Sequence, residues 1–161
     1  MQKCDKECNA CVFECSHRCP VCKGNSEKVP EETVKSILID ISEYTSGDTY
    51  ICLNRKCEVT YFNSHEYFLK NELKVPVWFK EDPNEMIICY CRNITMNELR
   101  KVVEKYPNVE TLEQVIKILG KEKIKIDCIH RNPIGKSCDK LFSNAIKYIK
   151  GEKWLWTYGM I

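Results

Sequence analysis

Twelve of the 161 residues are cysteines, and spacing sorts them into three sets of four: Cys4, Cys8, Cys11 and Cys15; Cys19 and Cys22 with Cys52 and Cys57; and Cys89 and Cys91 with Cys128 and Cys138. Four thiolates close the shell of a tetrahedral zinc ion or hold an iron-sulfur cluster. An even count can also mean disulfides, and the compartment normally decides between the two. Residues 1–25 are too polar and cysteine-dense for a signal peptide, and no apolar run reaches the roughly 18 residues that cross a bilayer. A cytoplasmic metal-binding chain is therefore the expectation. Abundant Lys and Glu with scarce Gln point to a hyperthermophile, whose cytosol tolerates disulfides, so that alternative stays open.

Cys19-Pro20-Val21-Cys22 has knuckle spacing, in which the chain turns between two sulfurs that face one ion. Paired with Cys52-x4-Cys57 it reads as a closed, structural zinc site whose binding energy is folding energy. A short segment with little apolar content needs such a staple. The alternatives are two local disulfides or a redox-active C-x2-C, but the latter precedes a helix in a βαβ unit, which is not found here.

Cys89-Tyr90-Cys91 lies just before a capped helix start at Thr95. A C-x-C in a continuous strand sends its sulfurs to opposite faces, so convergence demands a turn. Cys128 and Cys138 flank Asn132-Pro133-Ile134-Gly135, a loop able to fold back toward the first pair. Such a nonlocal quartet suits a 2Fe-2S centre with two thiolates on each iron, and zinc can use the same four ligands. Cys4, Cys8, Cys11 and Cys15 fall on one helical stripe. Their first three have the C-x3-C-x2-C spacing of radical S-adenosylmethionine enzymes, but the barrel those enzymes need exceeds this chain. A second zinc, a nonradical 4Fe-4S cluster, capture of Cu(I) and disulfide pairing all remain open for the arm.

The elements that must position these sets differ along the chain. Residues 1–18 read as a polar cysteine-rich arm. Residues 19–82 read as a β-rich unit, treble-clef or ribbon-like, with strands expected at Val34–Ile41, Thr49–Leu53, Glu58–Phe62 and, on an edge, Val75–Phe79 around Pro76. Glu81-Asp82-Pro83-Asn84 is the expected boundary. From 85 to 151 the period turns helical. Thr95-x-x-Glu98 and Thr111-x-x-Gln114 are capping boxes, Gly120 is a stop, and a third helix over about Asp139–Lys150 ends at Gly151. Residues 152–161 form a tail whose Trp154 and Trp156 suit packing or a partner contact. The fold class expected is α+β.

The formal charge is +2, with 25 Lys+Arg against 23 Asp+Glu spread along the chain, so neither nucleic acid nor membrane insertion is expected. His17 is a solvated residue or a substitute ligand, His65 and His130 read as surface residues, and no partnered nucleophile is evident. No catalytic residue is assigned, which leaves metal-ion reduction as the one reaction in view. Tyr90 reads as a shield for the site between its neighbours.

Residues 19–150 resemble the N-terminal metal-binding half of the archaeal CopZ-type copper chaperones. The likeness is carried by Cys19-Pro20-Val21-Cys22, by Thr49-Tyr50-Ile51-Cys52 through Cys57-Glu58-Val59-Thr60-Tyr61-Phe62-Asn63, by Cys89-Tyr90-Cys91, and by Cys128 through Asn132-Pro133-Ile134-Gly135 to Cys138. The resemblance implies zinc on Cys19, Cys22, Cys52 and Cys57. It also implies a helical second half similar to bacterioferritin-associated ferredoxin, with a 2Fe-2S cluster on Cys89, Cys91, Cys128 and Cys138. The gap from Cys128 to Cys138 departs from the C-x2-C of most such ferredoxins and looks like the CopZ variant. No M-x-C-x2-C copper loop follows Cys138, so copper delivery by that loop is not expected, and the arm is a second departure. The function expected is a one-electron carrier or redox partner in metal handling, with electrons exchanged near a partly exposed C-x-C loop. A metallochaperone or metal sensor whose arm binds Cu(I) and an all-zinc interaction module are the alternatives. The partner implied is a redox or metal-trafficking protein.

Overall fold

The structure is a computed structural model that describes residues 17–153. The four arm cysteines, Cys4, Cys8, Cys11 and Cys15, and the pair Trp154 and Trp156 lie outside the described residues. Four short strands, β1 (Ser26–Val29), β2 (Thr49–Cys52), β3 (Val59–Phe62) and β4 (Tyr67–Leu69), form an antiparallel sheet in that order. The two-residue side-chain period divides the sheet into two faces. Ile51, Tyr61 and Phe68 enter the main core, while Tyr50, Cys52, Phe62 and Leu69 gather in a smaller cluster with Cys19 and Cys57. Tyr50 opposes Phe62 across β2 and β3, with ring centroids 5.9 Å apart.

β2 and β3 fall where the sequence places strands. The segment Val34–Ile41 does not: Glu31–Ile37 is helix α1. Its β-branched residues suggest a strand, yet Pro30 enters with φ −57°, Glu31 and Glu32 occupy the first turn, and Glu31 pairs with Lys35 one turn on. Thr33, Val34 and Ile37 then share one buried face, and tertiary burial overrides the local preference. Val75–Phe79 is no edge strand either. Residues Trp78–Lys80 make one 3-10 turn.

After a turn at Asp82–Glu85, a hairpin of β5 (Ile87–Cys89) and β6 (Ile94–Thr95) leads into α2 (Met96–Lys105) and α3 (Leu112–Ile118). Both capping boxes form: Thr95 accepts from the Glu98 amide and Thr111 from the Gln114 amide. The short α4 (Cys128–Arg131) and the long α5 (Asp139–Ile149) are the last elements of the described residues. Leu99, Val102 and Val103 of α2 and Leu141, Phe142, Ala145 and Ile146 of α5 are buried. They belong to the same apolar core as Ile51 and Tyr61, so sheet and helices share one interior.

Two long-range ties lock the halves together. The Tyr61 hydroxyl on β3 donates to the Pro133 carbonyl, and Thr33 Oγ1 on α1 donates to the Ile129 carbonyl at 2.6 Å. Gly135 lies against α1 with φ +68°, where an added Cβ would sit 2.5 Å from Thr33 Oγ1. The left-handed backbone and the close approach both call for glycine.

Candidate metal centre

The first thiol quartet is assembled by the sheet edge. Cys19 and Cys22 sit on a turn before β1, closed by Lys23 N donating to the Cys19 carbonyl at 2.9 Å and by Cys19 N donating to Gly24 O at 3.0 Å. Cys52 ends β2 opposite Ser26 of β1, and a turn through Asn54 brings Cys57 back beside it. Cys19 Sγ lies 3.9 Å from Cys57 Sγ, Cys22 Sγ lies 3.6 Å from Cys52 Sγ, and all four sulfurs are within 4.8 Å of one another. A zinc tetrahedron with bonds of about 2.3 Å spaces its sulfurs about 3.8 Å apart, so the donor set fits that ion.

The apo thiols are electrostatically unequal. Burial opposes ionisation of Cys22, but the Gly24 amide, the Asn54 side chain and the Cys52 and Cys19 thiols outweigh it and hold it down at about 6. Burial pushes Cys52 and Cys57 up. The Gly24 amide donates to Cys22 Sγ at 3.4 Å, and an added Cβ at Gly24 would crowd that sulfur at 3.1 Å.

The second quartet forms two pairs. Cys91 Sγ lies 3.6 Å from Cys128 Sγ, and Cys89 is hydrogen-bonded with Cys138. The strand ends at Cys89, and a turn follows over residues 90–93, with Asn93 at φ 48°. Among the described residues, the first quartet is the group of three or more such donors lying within 4.8 Å of one another. The second quartet does not contract onto one point. The hydrogen bond from Cys138, backed by the Arg92 amide and guanidinium, holds Cys89 at about 6 against burial, while burial and the Cys91 thiol push Cys128 up to about 11. The Asp127 amide donates to Cys91 Sγ at 3.2 Å.

The sequence places the exposed edge at the C-x-C loop, and the structure corrects this. Cys89 and Cys91 are 1% and 5% exposed because the hairpin is packed under the core, and the half-buried sulfur is that of Cys128. Tyr90 does more than shield: its hydroxyl donates to the Pro76 carbonyl at 2.6 Å and accepts from Trp78 N at 3.0 Å. His17 is exposed and stacks on Tyr50 at 4.1 Å, His65 is exposed, and His130 lies at the surface with Nδ1 2.7 Å from Asp127 Oδ1. All eight described cysteines are free thiols.

Buried Lys80 is the residue that sequence reasoning missed. Its ammonium donates to the Asn54 carbonyl at 2.7 Å and to the Cys57 carbonyl at 3.0 Å. A lysine after an aromatic pair carries no sequence signal of such a role.

Comparison with known proteins agrees with this geometry. A zinc binding domain family named for CopZ matches residues 16–74. The crystal structure of the CopZ N-terminal domain of Archaeoglobus fulgidus superposes with a TM-score of 0.61 at 34% identity, covering 76% of this chain and 92% of that one. The chain belongs to the CopZ N-terminal domain family. The copper chaperone CopZ of the same organism is 34% identical over 122 residues, which are 75% of this chain and 57% of the chaperone. The match thus spans little more than half of that relative. The family explains the mixed α/β architecture with its small antiparallel sheet and the cysteine cluster beside it. Among the described residues no helix is long and apolar enough to cross a membrane.

Proposed function

We propose that the chain is a metal-trafficking module of the metallochaperone type. In this reading residues 19–82 carry a closed zinc scaffold on Cys19, Cys22, Cys52 and Cys57. Residues 85–151 form a unit similar to bacterioferritin-associated ferredoxin that carries a 2Fe-2S centre on Cys89, Cys91, Cys128 and Cys138. The arm thiols Cys4, Cys8, Cys11 and Cys15 take up a thiophilic cargo such as Cu(I), which soft sulfur ligands favour. The single observation behind the metal-handling assignment is the four-sulfur cluster within 4.8 Å, in a chain of the CopZ N-terminal domain family. A closed four-thiolate site leaves no open position, so the first quartet holds the fold while exchange is left to other thiols.

A second reading, a one-electron carrier serving a redox or metal-trafficking partner in the cytoplasm, is favoured by the pairing in the second quartet. Two thiols beside two thiols suit one pair on each iron, whereas a mononuclear site would draw all four together. When bound, a 2Fe-2S centre supplies one-electron redox chemistry. The chain's own contribution is to bury three of the four ligands, direct the Asp127 amide at Cys91 and set Arg92 against Cys89.

The two readings separate on titration with Cu(I), under a competing chelator, of protein already loaded with metal at both described quartets. The chaperone reading expects tight uptake that disappears when Cys4, Cys8, Cys11 and Cys15 are changed to Ser. Absence of uptake overturns it and leaves the carrier.

A further inference from the structure

We infer that Lys80 is a positioning residue for the first thiol quartet: its buried ammonium clamps the Cys52–Cys57 loop and supplies positive charge to that side of the site. The inference rests on the reading of that quartet as a zinc site. Lysine is seldom buried without a reason, because its charge loses hydration. Lys80 is 7% exposed, and its ammonium donates to two backbone carbonyls. Both belong to the loop that delivers Cys52 and Cys57, one of them to Cys57 itself. Burial is the largest influence on this side chain and disfavours its charge, while Cys52, Cys57 and Cys19 act in the opposite sense, which places the ammonium within electrostatic reach of three of the four ligands.

The charge arithmetic explains the placement. Four thiolates around a divalent cation leave a net charge of −2 in a low-dielectric pocket, and a fixed cation alongside offsets half of it. Backbone amides such as that of Gly24 offset part of the rest. The clamp is held from outside by Arg55, whose Nε donates to the Phe79 carbonyl at 3.1 Å, so the 3-10 turn Trp78–Lys80 and the ligand loop grip each other in both directions. A hydrophobic residue of similar length would fill the space but leave the carbonyls and the anionic site uncompensated.

The test uses the full chain loaded with one zinc ion at the first quartet, with Lys80→Met, Lys80→Gln and Lys80→Arg compared by competition against a chromophoric chelator. Gln keeps neutral N–H donors, and Arg keeps the charge. The inference expects zinc affinity to fall at least about tenfold in Met and in Gln and to recover in Arg, the size typical of outer-shell changes. The rate at which a small electrophile alkylates the zinc-bound thiolates should rise in Met and Gln, because uncompensated thiolates are more nucleophilic, a readout that loss of packing alone would not move in step with charge. Equal behaviour of Gln and wild type would overturn the charge role, and unchanged affinity in Met would overturn the clamp. Failure of the Cys89→Ser/Cys138→Ser double variant, with Lys80 unchanged, to retain zinc would overturn the zinc reading and the inference together, and is separable from the other outcomes.

Discussion

The Tyr90 hydroxyl and the Pro76 carbonyl are 2.6 Å apart, and that bond fastens the turn between Cys89 and Cys91 to the segment that ends in Lys80. The same hydroxyl accepts from Trp78 N at 3.0 Å. One residue between two candidate ligands thereby orients a turn and anchors the strap leading to the other quartet.

Tyr90→Phe keeps the ring and removes both bonds. Burial raises the Tyr90 hydroxyl far above its ordinary range, so it acts as a neutral donor and acceptor at every working pH. Loss of a buried hydrogen-bonding group costs about 1–3 kcal/mol. Urea denaturation should report a loss of that size, and an unchanged midpoint would show that the strap is held by other contacts.

Gly135 and Gly120 both have positive φ, at +68° and +65°, but only the first is crowded. Gly120→Ala should cost about 1 kcal/mol, the strain of a left-handed alanine. Gly135→Ala must also push Thr33 Oγ1 and Pro30 Cδ aside, at 2.5 Å and 3.1 Å from the new Cβ, adding overpacking of about 1–3 kcal/mol. Equal unfolding midpoints for the two variants would contradict the seating of the Cys128–Cys138 loop against α1.

Zinc uptake at the first quartet should release protons. Near neutral pH Cys22, held down at about 6, is already a thiolate, while burial keeps Cys52 and Cys57 protonated. At least two protons must therefore leave, and apparent zinc affinity should rise about 100-fold or more per pH unit between about pH 6.5 and 8. Chelator competition across that window checks the slope, and a rise of tenfold or less per unit would contradict the protonation states assigned.

Much of this architecture was legible because the signals were local. Thr95 with Glu98 and Thr111 with Gln114 announce helix starts, and Thr49–Cys52 and Val59–Phe62 are short runs rich in β-branched and aromatic residues, as strands are. Where the outcome depends on distant partners the sequence misleads. Val34 and Ile37 read as strand residues until Glu31, Lys35 and a buried face make α1. Val75–Phe79 reads as an edge strand until Tyr90 captures Pro76 and Trp78. Ser26–Val29 is too polar to announce itself and becomes β1 by pairing with β2. The cysteine spacing predicts the first quartet's convergence, but nothing in it predicts that Cys128 is the second quartet's solvent-facing member.

The central claim is that the two described quartets hold different centres, zinc in the first and 2Fe-2S in the second. Metal and sulfide analysis with visible absorption, on anaerobically purified protein and on its Cys89→Ser and Cys138→Ser variants, tests it most directly. The account predicts coloured wild-type protein with zinc, iron and inorganic sulfide. It also predicts variants that lose the charge-transfer absorption and the matching iron and sulfide while keeping zinc. A colourless wild-type protein loaded with zinc alone would contradict it.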